Sequence, residues 1–193
     1  MKRTKILLSA MLLAIGPLLF TACKKDKKTE SNDEEVITTL TIKLTPVGGG
    51  TTLSYSFDDP DGPGGLAPTI DEIVLAPSTT YNAEIELLNK TVSPPENITE
   101  EVEEEAEAHR FYFEVQGGAN LTIDNLDTDA NGVPLGINST WTTGAASTGK
   151  VQVTLRHYPN TPPGKAMADP VNSPKSETDI STVDIGGFTL RIL

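Results

Sequence analysis

Tyr81-Asn82-Ala83-Glu84-Ile85-Glu86-Leu87 alternates apolar and polar side chains without a break. In an extended chain successive side chains point to opposite faces, so Tyr81, Ala83, Ile85 and Leu87 share one face. A helix would scatter the same residues around its axis at about 100° each. The stretch therefore predicts a strand with one face on a core and the other in water. Outward from it the same period recurs: Leu40, Ile42 and Leu44; Leu53, Tyr55 and Phe57; Phe111, Phe113 and Val115; Leu121 and Ile123; Val151, Val153 and Leu155; Phe188, Leu190 and Ile192. Turn-forming clusters separate these runs, among them Gly48-Gly49-Gly50, Gly117-Gly118, Asn131-Gly132 and Pro159-Asn160. About seven to nine short strands so spaced predict a mainly β protein, an antiparallel Ig-like β-sandwich.

One segment departs from this period. Pro94-Pro95 stops the preceding strand, and Asn97 with Glu100 three residues on can cap a helix. The spacing predicts one short acidic α-helix over about 97–109, with Ile98, Val102, Glu105, Ala106 and His109 on one stripe. Like charges such as Glu100 and Glu104 face solvent there and repel by a few tenths of a kcal/mol, roughly. Residues 161–178, rich in Pro, Ser and charge, read as a long surface loop.

The first residues have another logic. Basic Lys2, Arg3 and Lys5 precede an apolar run from Ile6 to Phe20, and small residues Thr21 and Ala22 lead to Cys23. This is the three-part plan of an export signal, so residues 1–22 read as a signal peptide. Phe20-Thr21-Ala22-Cys23 resembles a bacterial lipobox, which makes Cys23 the lipidation site, carrying palmitate-like acyl chains. Two or more such chains anchor a protein stably without a spanning helix. Cys23 is the one cysteine, so no disulfide can form within the chain. Residues 23–35 carry the anchor and a charged tether with no apolar run. Residues 36–193 are long enough for a single β-sandwich domain.

That domain has 8 Lys and Arg against 22 Asp and Glu, a net −14. Such a surface repels nucleic acid and attracts cations. Enzyme chemistry finds little support: the thiol is consumed by lipid, and no serine sits in a Gly-x-Ser-x-Gly turn.

Three segments offer cation ligands. In Asp127-Thr128-Asp129-Ala130-Asn131-Gly132, oxygen-bearing side chains alternate before a glycine, and Val133 adds a backbone carbonyl, as calcium loops require. The position of the closing bidentate Glu holds Asn138, and Asn131-Gly132 alone makes a hairpin turn. Asp58-Asp59-Pro60-Asp61-Gly62 is a weaker version of the same pattern, which a turn explains as well. The chain's two histidines are the third signal. His109 lies one helical turn from Glu105, and His157 ends the row Val151, Val153, Leu155. Two neutral imidazoles and a carboxylate suit a transition metal such as Zn. The plainer reading is two histidines hydrogen-bonded at strand ends.

The segments EEVITTLTIKLTPVGGG, PPENITEEVEEEAEAH and TTGAASTGKVQVTLRH resemble small Bacteroidota-type lipoproteins, sometimes labelled type 1 periplasmic binding fold superfamily proteins. That label implies two α/β lobes and roughly twice this length, whereas the patterning here reads as antiparallel β. The resemblance brings no known activity. It implies an outer-membrane lipoprotein, anchored by lipid, on the periplasmic face or the cell surface, in the service of an outer-membrane transporter. Two functions of different class follow. One is a non-enzymatic accessory protein that binds a divalent cation, calcium or a transition metal; the other is an interaction module with no metal.

Overall fold

The alternating runs all form strands in the computed structural model, which describes residues 36–62, 65–159, 164–182 and 186–193. In chain order the elements are β1 (Thr39–Pro46), β2 (Leu53–Asp58), β3 (Thr69–Ile70), β4 (Ile73–Leu75), β5 (Thr80–Asn89), β6 (Glu96–Asn97), α1 (Ile98–Glu104), β7 (His109–Gln116), β8 (Leu121–Asp124), β9 (Asn138–Thr143), β10 (Ser147–His157), β11 (Glu177–Ser181) and β12 (Phe188–Ile192). The described residues all belong to one compact unit.

One sheet runs β3-β2-β1-β5-β9-β8, with β6 also paired to β5. In the other, β10 is the hub. It pairs with β7 along residues 150–157, with β12 at 147–151 and with β11 at 154–157. β12 carries β4 as a parallel neighbour, so the sandwich is antiparallel except for this one pair.

The predicted apolar rows point between the sheets. Leu40, Ile42, Leu44, Ile85, Leu87, Val151, Val153, Leu155 and Phe188 are buried in a single core. Each such side chain stabilises by about 1.5–3 kcal/mol relative to exposure. Trp141 of β9 and Phe113 of β7 meet edge-on across the two sheets, with ring centroids 6.2 Å apart. The Tyr55 hydroxyl donates to the Val74 carbonyl at 2.7 Å and ties the same layers together nearer β4.

The helix is shorter than its pattern predicts. Its start is as expected: the Asn97 side chain accepts from Thr99 N–H and donates to Glu100, and Ile98 and Val102 are buried. It stops at Glu104 instead of reaching 109, and Glu105 leaves the helical region at φ −105°, ψ 32°. The last turn holds no basic residue, so acidic side chains there oppose the partial negative charge of the helix end. His109 is consequently the first residue of β7 and not the last of α1.

Strands β9 and β11 carry no clear apolar alternation. The inward residues of β9 are Ser139, Trp141 and Thr143. β11 starts inside the segment expected to be loop, where Thr178, Asp179 and Ile180 continue the sheet beside β10.

Candidate functional site

The first residue of β7 lies directly opposite the last of β10, pairing His109 with His157 across the antiparallel ladder. Their side chains stack, with ring centroids 4.8 Å apart and planes inclined by 16°. Glu105 arrives from the turn that joins α1 to β7. One ligand atom each from Glu105, His109 and His157 lies within 4.8 Å of the others. The expected trio is therefore gathered at one rim of the sandwich, although His109 reaches it on a strand.

The environment of each member differs. His109 is fully buried, His157 is half-buried and Glu105 is exposed. Nδ1 of His109 lies 3.2 Å from the Glu105 carbonyl oxygen, which also accepts from Ala108 N–H at 2.8 Å. Nε2 of His109 lies 3.6 Å from a carboxylate oxygen of Asp179, and both side chains are at 0% exposure. Sequence reasoning missed Asp179 because it follows directly on the 161–178 segment read as loop and β11 has no clear apolar alternation.

A metal bound at about 2.1 Å by tetrahedral ligands needs donor atoms roughly 3.4 Å apart. The three ligand atoms lie within 4.8 Å of one another, and Glu105 and His157 are the more accessible members. Buried His109 is the fixed point. The donor set of two imidazoles and a carboxylate, with no thiolate, fits Zn or Cu(II).

Lys165 underpins this rim. Its ammonium, 1% exposed as a side chain, donates to the His109 carbonyl at 2.7 Å and the Pro134 carbonyl at 2.8 Å. It also lies 3.4 Å from an Asp129 carboxylate oxygen that is itself buried. Burial holds the Lys165 amine below the usual lysine range, against the pull of Asp129. Burial pushes the Asp129 carboxyl up, but the Val133 N–H, the Lys165 charge and the Asn131 N–H outweigh it and hold the group low. Arg110, next to His109, donates to the carbonyls of Ala166 and Met167, which fastens the same loop over β7.

The loop expected to bind calcium lies beside Lys165. The structure brings Asp127, Asp129, Asn131 and Val133 into one loop and gives oxygens of Asp127, Asp129 and Val133 partners within the chain. Asp129 Oδ1 accepts from the N–H groups of Asn131 and Val133, at 2.8 and 2.9 Å. Asp127 accepts from Gly136 N–H and the Asn138 amide, and the Val133 carbonyl accepts from Asp129 N–H. Asp129 N–H to Val133 and Gly132 N–H to Asp129 close a hairpin around Asn131-Gly132. Where a calcium loop would hold an ion, Asp129 faces the Lys165 ammonium. The weaker Asp58–Gly62 pattern is likewise a turn: Asp58 pairs with Lys90 at 2.6 Å, and Gly62 N–H returns to the Asp59 carbonyl.

The acidic residues of α1 and its end, Glu100, Glu103, Glu104 and Glu107, are exposed. Cys23 and the signal segment lie outside the described residues. Among the described residues no helix is long and apolar enough to cross a membrane. The fold and rim together define an antiparallel β-sandwich with a two-histidine, carboxylate cluster at one end. Comparison with protein-family models, curated proteins and solved structures gives no match.

Proposed function

We propose that this chain is a lipid-anchored cell-envelope protein that captures a divalent transition metal at Glu105, His109 and His157. The observation that supports it is the convergence of these three side chains, one ligand atom of each within 4.8 Å of the rest. They come from the turn after α1, from β7 and from β10, and include both histidines of the chain. Glu105 is exposed and His157 only half-buried, which suits loading and release better than a closed structural site. The domain's net −14 raises the local concentration of cations around it. Anchorage at Cys23 would hold the loaded domain at the outer membrane, in position to serve a transporter there. No catalytic role is part of this reading.

Titration calorimetry of the lipidated chain in detergent micelles, with zinc and then copper, tests it. Near one metal per chain is expected, with at least a tenfold loss of affinity in His109→Ala and in His157→Ala, as removal of one of three protein ligands dismantles the geometry. Equal affinity in wild type and the double variant would refute it.

A second reading is favoured by the surroundings of His109. Its two ring nitrogens face the Glu105 carbonyl and the Asp179 carboxylate, which accounts for a buried histidine without any metal. The protein is then an interaction module whose exposed acidic helix meets a partner. Absence of bound metal at micromolar zinc would favour this alternative.

A further inference from the structure

The core is not closed equally on all sides. On β10, Val151, Val153 and Leu155 are fully buried, but their partners across the ladder on β7 are graded: Phe111 is buried, whereas Phe113 and Val115 are half-buried. In the facing sheet Leu121 of β8 is buried and Ile123 is half-buried. Phe113 meets Trp141 edge-on, and Trp141 is the ladder partner of Ile123, so these apolar groups line one opening. β8 ends its sheet and β7 pairs with β10 alone, which leaves a strand edge on each side of it.

Backbone direction shows what the β7 edge offers. Val153 N–H donates to the Thr182 hydroxyl and Val153 C=O accepts from Thr182 N–H, both on the side of β10 away from β7. Phe113, directly opposite Val153, therefore turns its own N–H and C=O away from β10 as well. Phe111 does the same, and its N–H finds the Leu135 carbonyl outside the ladder at 2.7 Å. Two and four residues further on, the outward N–H and C=O groups of Phe113 and Val115 meet no strand among the described residues.

We propose that this open edge is a docking site for an extended segment of another protein, one that alternates apolar with basic side chains and adds as a strand beside β7. The proposal is independent of the metal reading. A row of unpaired N–H and C=O groups selects a strand, because an extended chain presents matching groups at the same spacing. A residue set opposite Phe113 or Val115 shares their face, so its side chain enters the opening over half-buried apolar groups and must itself be apolar. The residue between them points outward and lies opposite Glu114, which is exposed, in a domain of net −14. A basic side chain there makes a favourable cross-strand pair, and an acidic one repels.

Other occupants fit less well. Two copies joined antiparallel through Phe113 and Val115 would set Glu114 opposite Glu114, with the same net charge on both domains. Residues 24–35 of the chain itself hold no apolar side chain to enter the opening. Leu135 closes the edge at Phe111 and the turn at Gly117-Gly118 ends it, so the partner engages through a short stretch.

The test uses the purified full chain labelled with nitrogen-15, and as probe the capped peptide Lys-Val-Lys-Val-Lys-Val-Lys. In the free chain the amides of Phe113 and Val115 should exchange hydrogen fast and those of Tyr112 and Glu114 slowly. Slow exchange at Phe113 and Val115 before peptide is added, whether from a second copy or from the chain itself, overturns the proposal. Millimolar peptide should slow both amides, and no change there overturns it. A peptide with glutamate for lysine should bind about tenfold more weakly or worse, since like charges across an interface are costly. One with N-methylated valines should not bind, because those residues exchange the backbone bonds. Equal binding of the glutamate peptide overturns the charge assignment, and equal binding of the N-methylated peptide overturns strand addition. Val115→Pro removes an N–H that the ladder does not use and should abolish binding. Glu114→Lys, at an exposed position, should weaken binding of the lysine peptide and favour the glutamate peptide. Unchanged binding in both variants overturns the assignment of this edge.

Discussion

Replacing Lys165 with methionine keeps the aliphatic stem and removes the charge beneath the rim. In the native chain the ammonium serves the carbonyls of His109 and Pro134 and faces Asp129, with side chains 1% and 2% exposed. Removing one partner of a buried ion pair typically costs about 3–5 kcal/mol, because the other charge stays behind. An independent ceiling agrees. Asp129 can escape by taking a proton, and raising a carboxyl from about 3.9 to pH 7 costs about 4 kcal/mol at 1.36 kcal/mol per unit. At about 2–4 °C per kcal/mol for a domain of this size, Lys165→Met should lower Tm by roughly 6–20 °C. The assay is thermal unfolding of the purified full chain at pH 7, repeated at pH 4. At the lower pH the deficit should shrink, as Asp129 is then neutral in the variant. Lys165→Met with Asp129→Asn should recover most of the loss, since the amide still accepts from Asn131 and Val133 N–H. A single-variant loss below about 1 kcal/mol, the scale of a surface pair, would refute the claim that this cation anchors the loop.

Two further outcomes follow from the charges and the anchor. Asp129 and Asp58 both have carboxyls held below the ordinary range; burial pushes each up, and hydrogen bonds with a nearby lysine outweigh it. A depressed folded value means that their stabilisation is present above the unfolded value near pH 4 and is lost as pH falls through the folded values. Thermal melts should therefore drop steeply below about pH 4, and a flat profile from pH 5 to 2 would contradict the assignment. Cys23→Ala should release the protein from the membrane fraction and abolish fatty-acid labelling, whereas continued labelling would remove the anchor from the proposal.

The relation between sequence and structure is clearest at individual residues. Period-two rows such as Tyr81, Ala83, Ile85 and Leu87 determined strands and the face each buries, because strand geometry ties alternation to sidedness. The β class and the polar exterior follow from such rows alone. β9 escaped, since two of its three inward positions are Ser139 and Thr143, whose polar groups find partners only in the fold. α1 was legible at its capped start and not at its end, where stacked acids halt it before the apolar stripe runs out.

The rim divides in the same manner. The helical stripe placed His109 near Glu105 and strand parity placed His157 at the end of its row, but only the tertiary register sets the two histidines opposite each other. Lys165 lies in the 161–178 stretch that composition assigns to a surface loop, and Asp179 directly follows it. Their burial arises from neighbours far along the chain, Asp129 for one and His109 for the other. A one-residue bulge in β11 aims Asp179 inward, and a bulge leaves no trace in composition or period. The sequence by itself thus determined the layers and the candidate ligands. Tertiary structure alone decided which charges face each ligand, because those contacts depend on pairing between distant strands and on the low dielectric that burial creates.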